Sequence, residues 1–158
     1  MNSLRIHAFI LTLATASTVW GMDSPKPPEP KEPKDPAMEQ ARDAVSKQDW
    51  GRAQGILRDA VTRNPQNADT HNLYAYSMRK GDKPAMDLVF RHYNEALRID
   101  PKHRGAHEYI GEAYLMSGNV PKAKEHLAQL DKLCTFGCEE FTKLKKEVAV
   151  YEQQHAKK

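Results

Sequence analysis

Residues 104–133 read RGAHEYIGEAYLMSGNVPKAKEHLAQLDKL, and large and small side chains alternate through this stretch at helical offsets. Ile110 is followed by Gly111, then come Tyr114, the Gly118-Asn119 turn, Ala123, Leu127 and Leu130. The apolar positions recur every three or four residues on both sides of the turn, which predicts two amphipathic helices folded back on each other. A small residue between large ones lets one helix backbone approach another closely.

The same order of sizes occurs again upstream, at a spacing of about 34 residues. In residues 68–101 the roles fall to Tyr74-Ala75, Met78, Gly81-Asp82, Val89, Tyr93, Ala96 and the closing Pro101. Pro101 lies 36 residues after Pro65, which places about two additional residues near Lys83-Pro84, in the bend between the two helices. A third copy spans 38–65, with Asp49-Trp50, Ala53, Leu57, Ala60 and Pro65 in its second helix. Its first helix, over Met38 to Gln48, shows only Ala41, Ala44 and Val45, as the end of an array would. Pro65 and Pro101 follow Asn64 and Asp100 and stop each second helix without breaking one.

These residues resemble the tetratricopeptide repeat family over about 96 of the 158 residues, from Met38 to Leu133. The fold expected is therefore all-α: an α-solenoid of about three helix-turn-helix repeats, at 38–65, 68–101 and 104–133. One helix pair cannot bury its apolar face alone, so such pairs must stack. Beyond them, residues 134–158 hold a CxxxC turn, then Phe141, Leu144, Val148 and Tyr151 at helical spacing, and a tail. This reads as a capping helix of about 14 residues whose outer face carries Lys143, Lys145, Lys146 and Glu147.

The N-terminal part has a different composition. Residues 1–21 place Arg5 and His7 before an uncharged stretch from Ala8 to Trp20, the layout of a secretory signal peptide. Thirteen residues at about 1.5 Å each reach about 20 Å, short of the ~30 Å hydrocarbon core, so a membrane is a partner only if this segment stays uncleaved. Val19 and Gly21 mark one cleavage site, Ala14 and Ala16 another. Residues 22–37 hold six of the ten prolines, interleaved with Lys and acidic residues, and read as a disordered, extended linker of roughly 3 Å per residue. The protein is thus expected to be exported, and periplasmic if its source is bacterial.

Composition narrows the function further. Twenty-four Lys+Arg against 21 Asp+Glu give a net charge of +3 with no basic run, which argues against a nucleic-acid partner. The mean hydropathy is −0.77. There is no HExxH, GxSxG, GxxxxGK[ST], GxGxxG or CxxCH, so neither an enzyme nor a cofactor is implied. Cys134 and Cys138 bracket Thr-Phe-Gly, and Gly137 is suited to end the preceding helix in a left-handed conformation and turn the chain. A disulfide there would contribute roughly 2 kcal/mol by loop entropy. Metal or redox work, and free thiols, are the other readings of the pair. Among the histidines, His103 and His107 lie four apart and His71 sits in the helix matching that of His107. They are assigned to packing and no metal site is called for, although copper or zinc carriers use such ligands.

The resemblance implies a concave groove lined by the first helix of each pair, offering Arg42, Asn72, Tyr76, Arg79, Glu108 and Glu112. Family members that clamp a C-terminal carboxylate do so with Lys, Asn and Arg, and this chain has Leu73, Gly105 and Tyr109 at three such positions, so another ligand is implied. The leading functional reading is an exported, non-enzymatic adaptor that binds a partner protein or peptide in this groove. The alternative is an accessory factor handling metal or thiols for an envelope redox enzyme through Cys134 and Cys138, and self-association through the first copy is a third possibility. If the last helix is a cap, truncation after Leu133 exposes the final repeat; size-exclusion chromatography and thermal melting should show an aggregating or partly unfolded protein, whereas a soluble truncation with unchanged melting rules the cap out.

Overall fold

Three core clusters, each made of side chains from three helices, organise the chain. A computed structural model describes residues 35–156; the signal peptide expected at 1–21 and nearly all of the expected linker lie outside them. The described residues form seven helices: α1 (Pro36–Ser46), α2 (Trp50–Arg63), α3 (Ala68–Lys80), α4 (Met86–Ile99), α5 (Arg104–Met116), α6 (Val120–Leu133) and α7 (Glu139–His155). Consecutive helices pack on one another as antiparallel pairs, α5 also packs on α3, and α7 also packs on α5. This is an all-α solenoid of helical repeats.

Local signals set the boundaries. α1 begins two residues earlier than Met38, because Asp35 Oδ1 accepts from the Ala37 N–H at 2.9 Å and Pro36 occupies a first-turn position that needs no donor. The linker expected through residue 37 therefore ends before Asp35. Asp49, Asn67 and Asn119 cap α2, α3 and α6 through their side-chain oxygens. The bend between α3 and α4 takes five residues, 81–85, against three at 47–49 and at 117–119, which is where the two additional residues go.

The first cluster joins Met38, Ala41 and Ala44 of α1 to Ala53 and Leu57 of α2 and to Leu73 of α3. Ala75 and Met78 of α3, Val89 and Tyr93 of α4, and Ile110 and Ala113 of α5 build the second. Leu115, Ala123 and Leu130 with Leu144 and Val148 of α7 make the third. Each helix pair is thus completed by the next helix along, and α7, 17 residues long instead of about 14, supplies that wall for the last pair.

Gly111 shows how tightly α7 is seated. A Cβ at this position would lie 2.6 Å from Leu144 Cδ2 and 2.8 Å from Cδ1. Leu144 is fully buried in the third core cluster, so moving it aside would disturb that packing. Gly111 therefore serves the approach of α7 to α5. We expect Gly111→Ala to destabilise the protein by about 1–2 kcal/mol, the overpacking cost exceeding the gain in helix propensity. In a Leu144→Ala background that penalty should shrink or change sign in urea unfolding; equal penalties in both backgrounds would place the contact elsewhere.

Candidate functional site: the groove lined by α3, α5 and α7

The first helices of successive repeats lie side by side, so their common face collects side chains from 30–40 residues apart in sequence. A hollow of about 740 Å³ opens there, with Tyr76 and Arg79 from α3, Glu108 and Glu112 from α5, and Lys143 and Glu147 from α7 on its walls. A smaller hollow of about 300 Å³ adjoins it and is bordered by Arg42, Asn72 and again Glu108. Tyr109 and Lys143 border both. All six expected groove residues therefore stand on one continuous face, and Glu108 stands at its centre.

They are not equivalent. The Arg79 side chain is only 4% exposed, its Nη2 donates to Glu112 Oε2 at 2.6 Å, and its Nε donates to Tyr93 Oη at 3.3 Å. The guanidinium carbon lies 5.5 Å from the Tyr76 ring centroid and 5.9 Å from that of Tyr109, and these two rings are 4.6 Å apart. Burial alone would lower the Arg79 pKa, but Tyr93 and Glu112 facing it hold it above its ordinary value. The same burial raises the Tyr93 hydroxyl, against the pull of Arg79. Arg79 is thus consumed by the fold, and the ion pair fastens α3 to α5; removing one partner of a buried pair costs on the order of 3–5 kcal/mol.

Glu108 has no such partner. Its residue is 3% exposed, and no hydrogen bond or ion pair reaches its carboxylate among the described residues. Burial, then the neighbouring Glu112, push its pKa up to about 7, with Lys143 pulling the other way. Asn72 is also buried, and its Oδ1 has no hydrogen-bond partner. Asn72, Arg79 and Glu108 are buried, while Arg42 is exposed.

Solved structures share this architecture. The TPR domain of Arabidopsis OM64 superposes with a TM-score of 0.64 at 16% identity, covering 73% of this chain and 93% of that one. The TPR2B domain of yeast Sti1, in a complex with pHsp70, gives 0.66 at 20% identity, covering 75% and 95%. The Yersinia enterocolitica type III secretion translocator chaperone SycD gives 0.67 at 12% identity, covering 76% and 83%. The fold is the tetratricopeptide repeat fold. No protein-family model and no curated protein matches the sequence.

In this tetratricopeptide array α7 occupies the place of a fourth repeat's first helix, and that placement corrects one reading of the sequence. Lys143 and Glu147, assigned to the outer face of a cap, line the groove. Lys145 and Lys146 remain exposed. The repeat pattern ends before α7, so no offset within a repeat set its register. The available signal was the stripe Lys143, Glu147, Val150, Tyr151 and Gln154, whose members all border the larger hollow at spacings of three, four and one.

The histidines make a second repeated feature. His71 Nδ1 lies 2.9 Å from His92 Nδ1, and His107 Nδ1 lies 3.0 Å from His126 Nδ1. In each pair the other nitrogen of the first histidine meets a carbonyl, that of Pro65 or Pro101, at 3.1 Å. A carbonyl only accepts, so Nε2 of His71 and His107 carries hydrogen and, in the neutral pairs, Nδ1 of the second histidine donates to Nδ1 of the first. His103 plays a different part. Its Nδ1 accepts from the Ala106 N–H as the cap of α5, and its Nε2 donates to Asp69 at 3.0 Å. Among the described residues no three His, Cys, Asp or Glu side chains come together as metal ligands. Cys134 and Cys138 face each other across the turn between α6 and α7, their Cα atoms 5.5 Å apart and their sulfurs at bonding distance. Gly137, with φ +83°, shapes that turn and does not end the helix as expected; α6 stops at Leu133, with Cys134 as its C-cap.

The buried groups give stability two opposing pH dependences. Burial, and the facing His107, lower the His126 pKa from 6.5 to about 4, so acidification from pH 6.5 to 4 protonates the unfolded chain first and removes stability. Glu108, raised from 4.5 to about 7, does the reverse: the folded state binds its proton first, and stability rises as pH falls through that interval. Melting temperatures should therefore show Glu108→Gln more stable than wild type at pH 8.5 with the gap closing by pH 4.5. His126→Gln should differ in the opposite sense, losing less stability than wild type on acidification; parallel pH profiles for all three proteins would contradict both assignments.

Proposed function

We propose that this protein is an exported, non-enzymatic adaptor that holds a partner protein, or an extended segment of one, in the groove of α3, α5 and α7. The observation that carries the reading is the 740 Å³ open hollow on the face shared by these helices, with unlike polar and aromatic groups displayed along it. A surface of that kind offers an extended chain both stacking area and hydrogen-bond partners. Two of the structural neighbours were solved with bound partners, the Sti1 domain with pHsp70 and SycD with a peptide of the translocator YopD, which supports a groove used for binding. Export rests on the arrangement of residues 1–21 and on the cysteine pair, which an oxidising compartment would keep bridged.

No group in the groove forms a nucleophile with an adjacent base. Glu108 stands alone, Arg79 is engaged by Glu112 and Tyr93, and the histidine pairs bind carbonyls. The arrangement supports recognition better than bond making.

The test is photocrosslinking in the source cell, with the reactive side chain replacing Tyr76 in the groove or Lys146 on the exposed side of α7. A single foreign protein captured from Tyr76 and absent from Lys146 is the expected outcome. Adducts only between copies of this chain, or none, would overturn the adaptor reading and return weight to self-association.

A further inference from the structure

The smaller hollow has four carboxylates on its walls, and three of them are already answered. Asp69 receives the His103 Nε2–H at 3.0 Å, Glu139 pairs with Lys143 at 2.6 Å, and Glu140 lies 3.6 Å from Arg104. Glu108 is the fourth, and it is both the most buried and the one without a partner. Beside it on the wall is Asn72, which is buried, with its Oδ1 enclosed and its Nδ2 toward Gly105. Glu108 thus brings to this hollow a carboxylate that no side chain of the protein answers, and an incoming cation would supply the missing positive charge.

Gly105 leaves room for it. An added Cβ there would come within 3.3 Å of Asn72 Nδ2, so the absent side chain keeps the hollow open at the α5 wall. The aromatic faces nearby do not compete for an incoming cation, because Tyr76 and Tyr109 already flank Arg79 at 5.5 and 5.9 Å. The charged groups around Glu108 are Glu112 on its own helix, Lys143, Glu139 and Glu140 from α7, and Arg42 and Asp69 at the rim. Lys143 is the one basic group among them whose charge acts on Glu108, and it is exposed and held by Glu139.

We propose that the Asn72–Glu108 hollow is the subsite for a lysine or arginine side chain of the bound segment, inverting the charge preference of a carboxylate clamp. This rests on the adaptor reading and specifies the chemistry of its partner: an extended segment carrying a basic residue, with its cation on the Glu108 carboxylate. Leu73, Gly105 and Tyr109, which supply no positive charge, fit the same preference.

The experiment is a ¹H–¹⁵N NMR titration of the folded protein with capped hexapeptides identical except for one central residue, Lys, Arg or norleucine, together with the norleucine peptide bearing a free C-terminal carboxylate. The expected result is that the Lys or Arg peptide binds at least tenfold more tightly than norleucine and shifts the Asn72 side-chain amide and the Gly105 N–H. Glu108→Gln should bring the three capped peptides within about twofold of one another while remaining folded by circular dichroism, and Lys143→Gln should tighten the basic peptides. Equal affinities in the wild-type protein, no response at Asn72 and Gly105, or preference for the free carboxylate would overturn the proposal. If Tyr76 nevertheless captures a partner in the cell, the cation subsite falls and the adaptor reading stands.

Discussion

Every helix pair in this protein depends on a wall it does not contain. The core between α1 and α2 closes on Leu73 of α3, that between α3 and α4 on Ile110 and Ala113 of α5, and that between α5 and α6 on Leu144 and Val148 of α7. Small residues set the distances: Ala41, Ala44, Ala53, Ala75 and Ala123 are fully buried, and Gly111 leaves Leu144 the space that a Cβ would take. Such nearest-neighbour packing makes stability a sum of pair and interface contributions, and it makes the last helix as necessary as any repeat. It also lines the first helices up along one face, and the groove is the consequence of that row.

The groove's chemistry follows from how its charges are partitioned between fold and surface. Arg79 and Glu112 meet across α3 and α5 at 2.6 Å, with Tyr93 behind and two tyrosine rings above, so this pair orders the groove floor and offers little to a ligand. Glu108, one helical turn from Glu112, gets none of these partners and borders both hollows. Two carboxylates on adjacent turns thus differ in kind: one is answered within the fold, and the other is left facing the groove.

The paired histidines show the opposite use of polar residues. Each pair sits between the two helices of a repeat and ties the first helix back to the proline carbonyl that precedes it, His71 to Pro65 and His107 to Pro101. His126 and Tyr114 then stack at 5.6 Å, and His92 and Tyr74 tilt together at 4.8 Å, so the imidazoles serve as packing aromatics with a hydrogen bond added. Repetition of a histidine motif is therefore explained by the repeat of the fold, and the dyads bring no third ligand to a metal among the described residues.

The helical repeats were legible from residue sizes at fixed offsets, because a helix presents every third and fourth residue on one side, and the two additional residues in the bend between α3 and α4 from the proline spacing; the face carrying Arg42, Asn72, Tyr76, Arg79, Glu108 and Glu112 came from the resemblance to tetratricopeptide repeats. The start of α1 was less legible: its signals, Asp35 and Pro36, also belong to the proline-rich composition that precedes them. The rotation of α7 lay outside the repeat, so Lys143 and Glu147 were assigned to the wrong face. Which carboxylate would be answered and which left alone was not in the pattern at all, since Glu108 and Glu112 stand on the same helix face and differ only in what α3 and α7 bring against them. Local periodicity is a property of one segment and is written in it; pairing and burial are set by distances between segments, and those exist only once the helices have stacked.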